Sequence, residues 1–273
     1  MAEDTQTDLI AARKVVNPEE FHFVRYRRDG DAVWLTLDRP EQNLLNEPML
    51  LELAAAIEHT GNQRDVKVMV LDSACKVFSG GIDLGEYTPN RVFQVLSAFE
   101  AAFLAMLETS KPLIVVVNGP AVGGGSEVAA LGDLVIATPR AKFAQPEVTI
   151  GVFPPLAATV LPHLIGPKRT LEMVLIGEPI SAERALEMGL VNRVVPEAQL
   201  AATVNGLVAQ IAAQSGPVLS MAKRAVLGGM GLSLKDSLHQ SIRIFLNELY
   251  GLEDSQEGLR AVQEKRKPQW KNR

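Results

Sequence analysis

Two glycine-bearing loops and two glutamates are the parts of this sequence suited to chemistry. Residues Phe78-Ser-Gly-Gly-Ile-Asp-Leu place adjacent glycines where a chain can turn sharply and present a backbone N–H outward. Residues Asn118-Gly-Pro-Ala-Val-Gly-Gly-Gly-Ser-Glu run from an apolar stretch through three glycines into a helix-forming segment. A helix start carries free N–H groups and a partial positive charge. The Gly124 N–H is therefore a candidate donor to an oxygen that becomes negative during a reaction. A phosphate cradle is excluded by spacing, since neither G-x-G-x-x-G nor G-x-x-x-x-G-K-[ST] occurs here. Each loop also reads as a plain tight turn.

Glu127 follows Gly124 within the expected first helical turn, where an isolated acid would only offset the helix dipole. Glu147 ends the segment Ala141-Lys-Phe-Ala-Gln-Pro-Glu, in a loop after a proline, with apolar Val148 and Ile150 close by. If folding sets the two acids opposite each other, a pair of carboxyls brackets one small volume beside an N–H donor. Adding water to a conjugated enoyl thioester needs that set: an acceptor for the water proton, an acid for the α-carbon, and donors for the enolate oxygen. Convergence is a matter for the fold.

The elements that must position these groups alternate. Residues 24–28 and 32–37 read as strands joined through the Asp29-Gly30 turn, 49–59 as a helix and 66–71 as a strand, a βαβ beginning. A helix over 92–109, ended by Lys111-Pro112, and strands over 113–117 and 134–137 continue the pattern. Ser181 fits an N-cap, and 197–213, 216–227, 233–250 and 255–266 carry helical periodicity. The expected organisation is a flexible extension over residues 1–20, an α/β core with the site over 21–200, and a helical C-terminal region over 201–273.

Composition bounds the partners. The 273 residues are 47% hydrophobic and 22% charged, an ordinary globular mixture with length for a full core. A formal charge of −5 supplies no basic field for nucleic acid. The single cysteine, Cys75, has no disulfide partner, the polar N-terminus lacks a secretory layout, and no apolar run nears the roughly 20 residues that span a bilayer. A cytoplasmic protein that does not enter the membrane is expected. His22, His59, His163 and His239 lack metal-ligand spacing, so no metal is expected. Trp34 and Trp270 read as packing residues.

Taken in order, FSGGIDL, KPLIVVVNGPAVGGGSEVAALGD, AKFAQPEVTIGV, GEPISAERALEMGLVNRVV and EKRKPQWKNR resemble the crotonase (enoyl-CoA hydratase/isomerase) superfamily from about Val24 onward. The resemblance implies a crotonase-like α/β spiral of βαβ units, with a helical C-terminal region that forms homotrimers or dimers of trimers. It implies that the Ile82 and Gly124 N–H groups polarise the thioester carbonyl, that Glu127 holds and activates water, and that Glu147 delivers the α-proton. Coenzyme A, entering as part of an acyl-CoA substrate and with no separate cofactor, would lie along Glu41, Gln42, Leu44, Gly80, Ile82 and Asp83, with Lys265 or Lys267 near a phosphate. Tyr87, and with it Glu86, is a candidate for the acyl pocket. Where straight-chain hydratases carry a glycine-rich stretch, this chain has Gly151-Val-Phe-Pro-Pro-Leu, so Phe153, Pro154 and Pro155 are expected to form a stiff pocket wall. That stretch and the Arg39–Asn46 stretch look like the cyclic dienoyl-CoA hydratases. Hydration is the expected reaction. Another enolate reaction on the same scaffold (isomerisation, decarboxylation or C–C hydrolysis) and a non-catalytic CoA-binding subunit stand beside it.

Overall fold

The computed structural model describes residues 17–273; of the expected N-terminal extension, residues 1–16 lie outside that range, and Pro18–Glu20 form one 3-10 turn. Strands β1 (Val24–Asp29) and β2 (Ala32–Leu37) pair antiparallel through the Asp29-Gly30 turn, where Gly30 takes a φ of 59°. Helix α1 (Glu47–Gly61) then carries the chain to β3 (Val68–Ser73), which pairs parallel with β2. Its cap is Asn46, whose side chain accepts the Met49 N–H at 3.2 Å, and Pro48 sits in the first turn, where no N–H is needed.

Helix α2 (Val92–Glu108) leads to β4 (Leu113–Val117), and β6 (Leu134–Ala137) and β9 (Arg193–Val194) complete a sheet of order β1-β2-β3-β4-β6-β9, parallel beyond the first pair. Every residue of β4 is buried, as a continuous apolar run between two covered faces requires. One face packs on α1 and α2 through Leu35, Leu37, Leu53, Phe99 and Val115. The other packs through Val68, Val70, Ile114 and Ile136 on Val204 and Leu207 of α7 (Glu197–Ala212). A smaller sheet joins β5 (Ala121–Val122), β7 (Lys142–Ala144) and β8 (Ile180–Ser181). Helix α3 (Gly124–Ala130) follows β5 directly.

The stretch expected as a stiff wall is irregular as far as Pro154, and Pro155 opens a helix, α4 (Pro155–Ile165), followed by α5 (Pro167–Ile176). Ser181 caps α6 (Ala182–Met188) as expected, accepting the Arg184 N–H at 3.2 Å. The strand read at 66–71 runs instead over Val68–Ser73. Helices α8 (Gly216–Gly228), α9 (Leu234–Ile244) and α10 (Glu253–Gln263) form the C-terminal part, with one π-helical turn at Phe245–Leu249 where a single helix over 233–250 was expected.

This helical part is tied to the sheet by two lysines with enclosed side chains. Lys67 Nζ donates to Ala212 O at 2.9 Å and pairs with Asp31 at 3.2 Å, while Lys223 Nζ reaches Lys111 O at 3.1 Å and Asp133 at 2.7 Å. The tail is held as well. The buried Asp254 carboxylate accepts the Lys271 and Asn272 N–H groups at 2.6 and 2.9 Å, and Trp270 Nε1 donates to Ala213 O at 2.8 Å. Asp254→Ala leaves two amides without an acceptor and is expected to lower unfolding stability by about 1–3 kcal/mol. A urea midpoint equal to that of the parent would show that the tail contributes nothing.

Candidate active site

The two glycine loops lie against each other. Phe78 N–H donates to Pro120 O at 2.9 Å and Val122 N–H to Ser79 O at 3.0 Å, so the segment ending in Ile82 runs alongside the segment ending in Gly124. A Cβ on Gly124 would stand 3.1 Å from the Ile82 side chain, and one on Gly125 would stand 2.6 Å from the Ser79 Cβ. Glycine at those positions is what lets the loops close on each other.

Peptide planarity aims the two N–H groups. In a trans peptide the C=O and N–H point opposite ways. Gly81 O accepts the Leu45 N–H at 2.8 Å, so the Ile82 N–H of the same peptide faces away from that strand-like contact. Gly123 O accepts the Glu127 N–H at 3.0 Å inside α3, which turns the Gly124 N–H out of the helix start. Among the described residues neither N–H has a hydrogen-bond acceptor. Two such donors on facing loops are suited to an oxygen that gains negative charge.

Asn43, which sequence reading passed over, holds this frame. It is wholly buried: Nδ2 donates to Ser73 Oγ at 2.8 Å and Phe78 O at 3.1 Å, and Oδ1 accepts the Arg39 N–H at 2.7 Å. Its own carbonyl accepts from Ser79 Oγ at 2.7 Å, and Ser79 Oγ accepts the Gly81 N–H at 3.1 Å. Arg39 adds a second tie, donating to Leu44 O at 2.7 Å and to Asp83 at 2.8 Å. That bond to Arg39 holds the Asp83 carboxyl below its usual range. Gly80 N–H donates to Gln42 O, and a Cβ on Gly80 would stand 2.9 Å from the Leu44 side chain. The expected CoA-binding positions Gln42, Leu44, Gly80, Ile82 and Asp83 thus form one paired edge, with Glu41 exposed beside it. Lys265 belongs to the C-terminal helical part. It is exposed in the turn that ends α10, with its N–H bonded back to Val262 O.

The two carboxyls flank the same glycines. Glu127, only 4% exposed, is one turn along α3 from Gly124, and its Oε1 accepts the Ala157 N–H at 2.6 Å. Burial pushes its pKa up to about 7; the N–H groups of Ala157 and Leu156 oppose that rise, and the Glu147 charge adds to it. Glu147, in the 3-10 turn Pro146–Ile150, comes from the other side. Its Oε1 lies 2.5 Å from where a Gly123 Cβ would be, and its Oε2 is enclosed without a partner. Burial raises its pKa too. Tyr87 is half-buried against the core, and its phenol pKa is raised first by burial and then by the charges of Glu127 and Glu147. Glu86 is buried and ion-paired with Arg91 at 2.8 Å. Phe153 is 70% exposed, Pro154 is buried as the N-cap of α4, and Pro155 is the first residue of that helix. Two acids of raised pKa beside two unsatisfied N–H groups can exchange protons with a neutral substrate while stabilising an enolate.

The pattern of the family described as enoyl-CoA hydratase/isomerase matches residues 29–273. A cyclohexa-1,5-dienecarbonyl-CoA hydratase of Thauera aromatica is 32% identical over 246 residues, covering 90% of this chain and 95% of that protein. A 2,3-dehydroadipyl-CoA hydratase of Escherichia coli is 34% identical over 249 residues, covering 90% and 97%. The crystal structure of an enoyl-CoA hydratase subunit from Geobacillus kaustophilus superposes with a TM-score of 0.87 at 34% identity, covering 93% of this chain and all of that one (100%). This chain is therefore a hydratase-type member of the enoyl-CoA hydratase/isomerase family.

Proposed function

We propose that the protein adds water across the conjugated C=C of an enoyl-CoA thioester through an enolate held by the Ile82 and Gly124 N–H groups. The observation that carries this reading is the pair of raised-pKa carboxyls, Glu127 and Glu147, on either side of the Gly123-Gly124 peptide. Ionised Glu127 takes a proton from water as its oxygen bonds to the β-carbon. The C=C electrons move toward the thioester oxygen, and protonated Glu147 delivers its proton to the α-carbon. The pair begins and ends with one proton, so a single exchange between the carboxyls resets it. Glu127→Gln and Glu147→Gln are each expected to lower turnover at least about 100-fold while nearly preserving CoA-ester affinity. Near-normal turnover in either variant removes that residue from the mechanism.

The acyl group proposed is a compact ring, a cyclic conjugated dienoyl-CoA. Similarity to the Thauera protein supports it, as does the Pro154-Pro155 start of α4, whose fixed φ leaves this side of the Glu127 carboxyl little room to adapt to a flexible chain. Comparing kcat/KM for cyclohexa-1,5-diene-1-carbonyl-CoA, crotonyl-CoA and a longer linear enoyl-CoA tests the idea. A roughly tenfold advantage for crotonyl-CoA sinks the cyclic assignment and leaves hydration standing.

The assembly proposed is a homotrimer or a dimer of trimers. Leu234, at 92% exposure, together with Leu238, Ile242, Phe245 and Leu246 leaves an apolar face on α9 and the turn after it that one chain does not cover. Light scattering is expected to give three or six times the chain mass, and a stable monomer at micromolar concentration would contradict the proposal.

A further inference from the structure

Helix α4 begins without a side-chain cap of its own. Its N-cap is Pro154 and its first helical residue is Pro155. A helix start exposes the N–H groups of the N-cap and of the first three helical residues. Here each has an identified fate. The first two do not exist, because proline has no N–H. Of the next two, the Ala157 N–H donates to Glu127 Oε1 at 2.6 Å and the Leu156 N–H favours the ionised form of the same carboxyl more weakly, while the Ala158 N–H begins the regular ladder by bonding to Pro154 O at 3.0 Å. Glu127 is therefore the cap of α4, supplied from another helix.

We propose that Pro155 is a positioning residue for Glu127, acting through the N–H it lacks: it keeps the helix terminus to two donors on a carboxyl that a third would otherwise reach. The N–H groups of a first helical turn point the same way along the axis, so one at position 155 would stand beside those of 156 and 157. Each added donor favours the charged form of a carboxylate. The titratable groups that face Glu127 are Glu147 from the 3-10 turn after β7, whose charge acts against its ionisation, and Tyr87 from the loop before α2, a neutral phenol whose own pKa the Glu127 charge raises. The helix terminus is the opposing influence, and its strength is set by its number of donors. With two, Glu127 sits near neutrality, where it can accept a proton from water and return one in the reverse direction.

This inference rests on the hydration reading for its consequence, whereas its test needs no substrate. The Glu127 carboxyl is titrated by difference infrared spectroscopy in the Glu147→Gln background, with Glu127→Gln subtracted. Adding Pro155→Ala is expected to lower the midpoint by roughly one pH unit. Pro162→Ala, which restores an N–H inside the same helix, is expected to leave the midpoint unmoved. Replacing the Ala157 amide by an ester deletes the existing donor and is expected to raise it, an arm that holds even if Pro155→Ala does not fold. An unchanged midpoint in Pro155→Ala, or an equal shift in Pro162→Ala, overturns the proposal. With Glu147 restored, hydration needs Glu127 ionised, so the acid limb of kcat/KM is expected to move to lower pH with the midpoint. A titration that shifts while the kinetic limb stays fixed counts against Glu127 as the acid–base group and supports the role of Pro155.

Discussion

A backbone N–H aimed at a substrate is one the protein does not use for itself. An enclosed donor without an acceptor costs about 1–3 kcal/mol, so the surroundings must prevent Ile82 and Gly124 from turning toward a partner within the chain. The structure does this by securing the other half of each peptide. Leu45 fixes the carbonyl of the Ile82 peptide, and Glu127 N–H fixes that of the Gly124 peptide. The Asn43 hydrogen bonds, the Ser79 hydroxyl and the Arg39–Asp83 pair then keep the Leu45 strand in register with the Ile82 loop. Much of the polar interior between residues 39 and 83 serves to leave one N–H free.

The carboxyls obey a related constraint. A buried acid with no cation beside it stays neutral to higher pH, and the two acids here oppose each other's ionisation. What distinguishes them is their donors. Glu127 receives the start of α4, whereas Glu147 leaves one oxygen enclosed and unpartnered next to Gly123. Gly123 has a φ of 51°, and a side chain there would collide with the Glu147 carboxyl. One glycine thus permits both the turn that opens α3 and the approach of the second acid.

Local pattern made much of this legible. Strand β4 is five apolar residues between a proline and an asparagine, and the Gly-Gly-Gly-Ser-Glu run reads as a tight entry into a helix. Helix α4 was harder to see because Pro154, Pro155 and Pro162 read as breakers, although proline suits a first helical position and Pro162 is tolerated further in. The bracing role of Asn43 was not legible locally, since its oxygen accepts the nearby Arg39 N–H as many loop asparagines do, while its nitrogen reaches Ser73 and Phe78, 30 and 35 residues away. The same holds for Lys67 and Lys223, which composition assigns to the surface and whose side chains are enclosed because carbonyls and aspartates from distant segments meet them.

Stability and chemistry meet in Glu127. Its carboxylate caps a helix, a role that commonly contributes about 0.5–2 kcal/mol, and the same oxygen atoms are the ones proposed to handle protons. The fold therefore does not hold the acid merely by surrounding it. The acid also holds the fold, since α4 has no other cap and packs Ala157 and Leu161 into the core beneath the site. A glutamine in its place keeps an acceptor for the Ala157 N–H and loses the titration. An alanine loses both, and its effect mixes a chemical defect with an uncapped helix. Protonation also weakens the acceptor as it neutralises it, so in the proposed mechanism each gain of a proton slightly loosens the start of α4 and each loss tightens it. The rigidity of the Pro154-Pro155 entry, with φ fixed in both residues, keeps that change from becoming a movement of the helix.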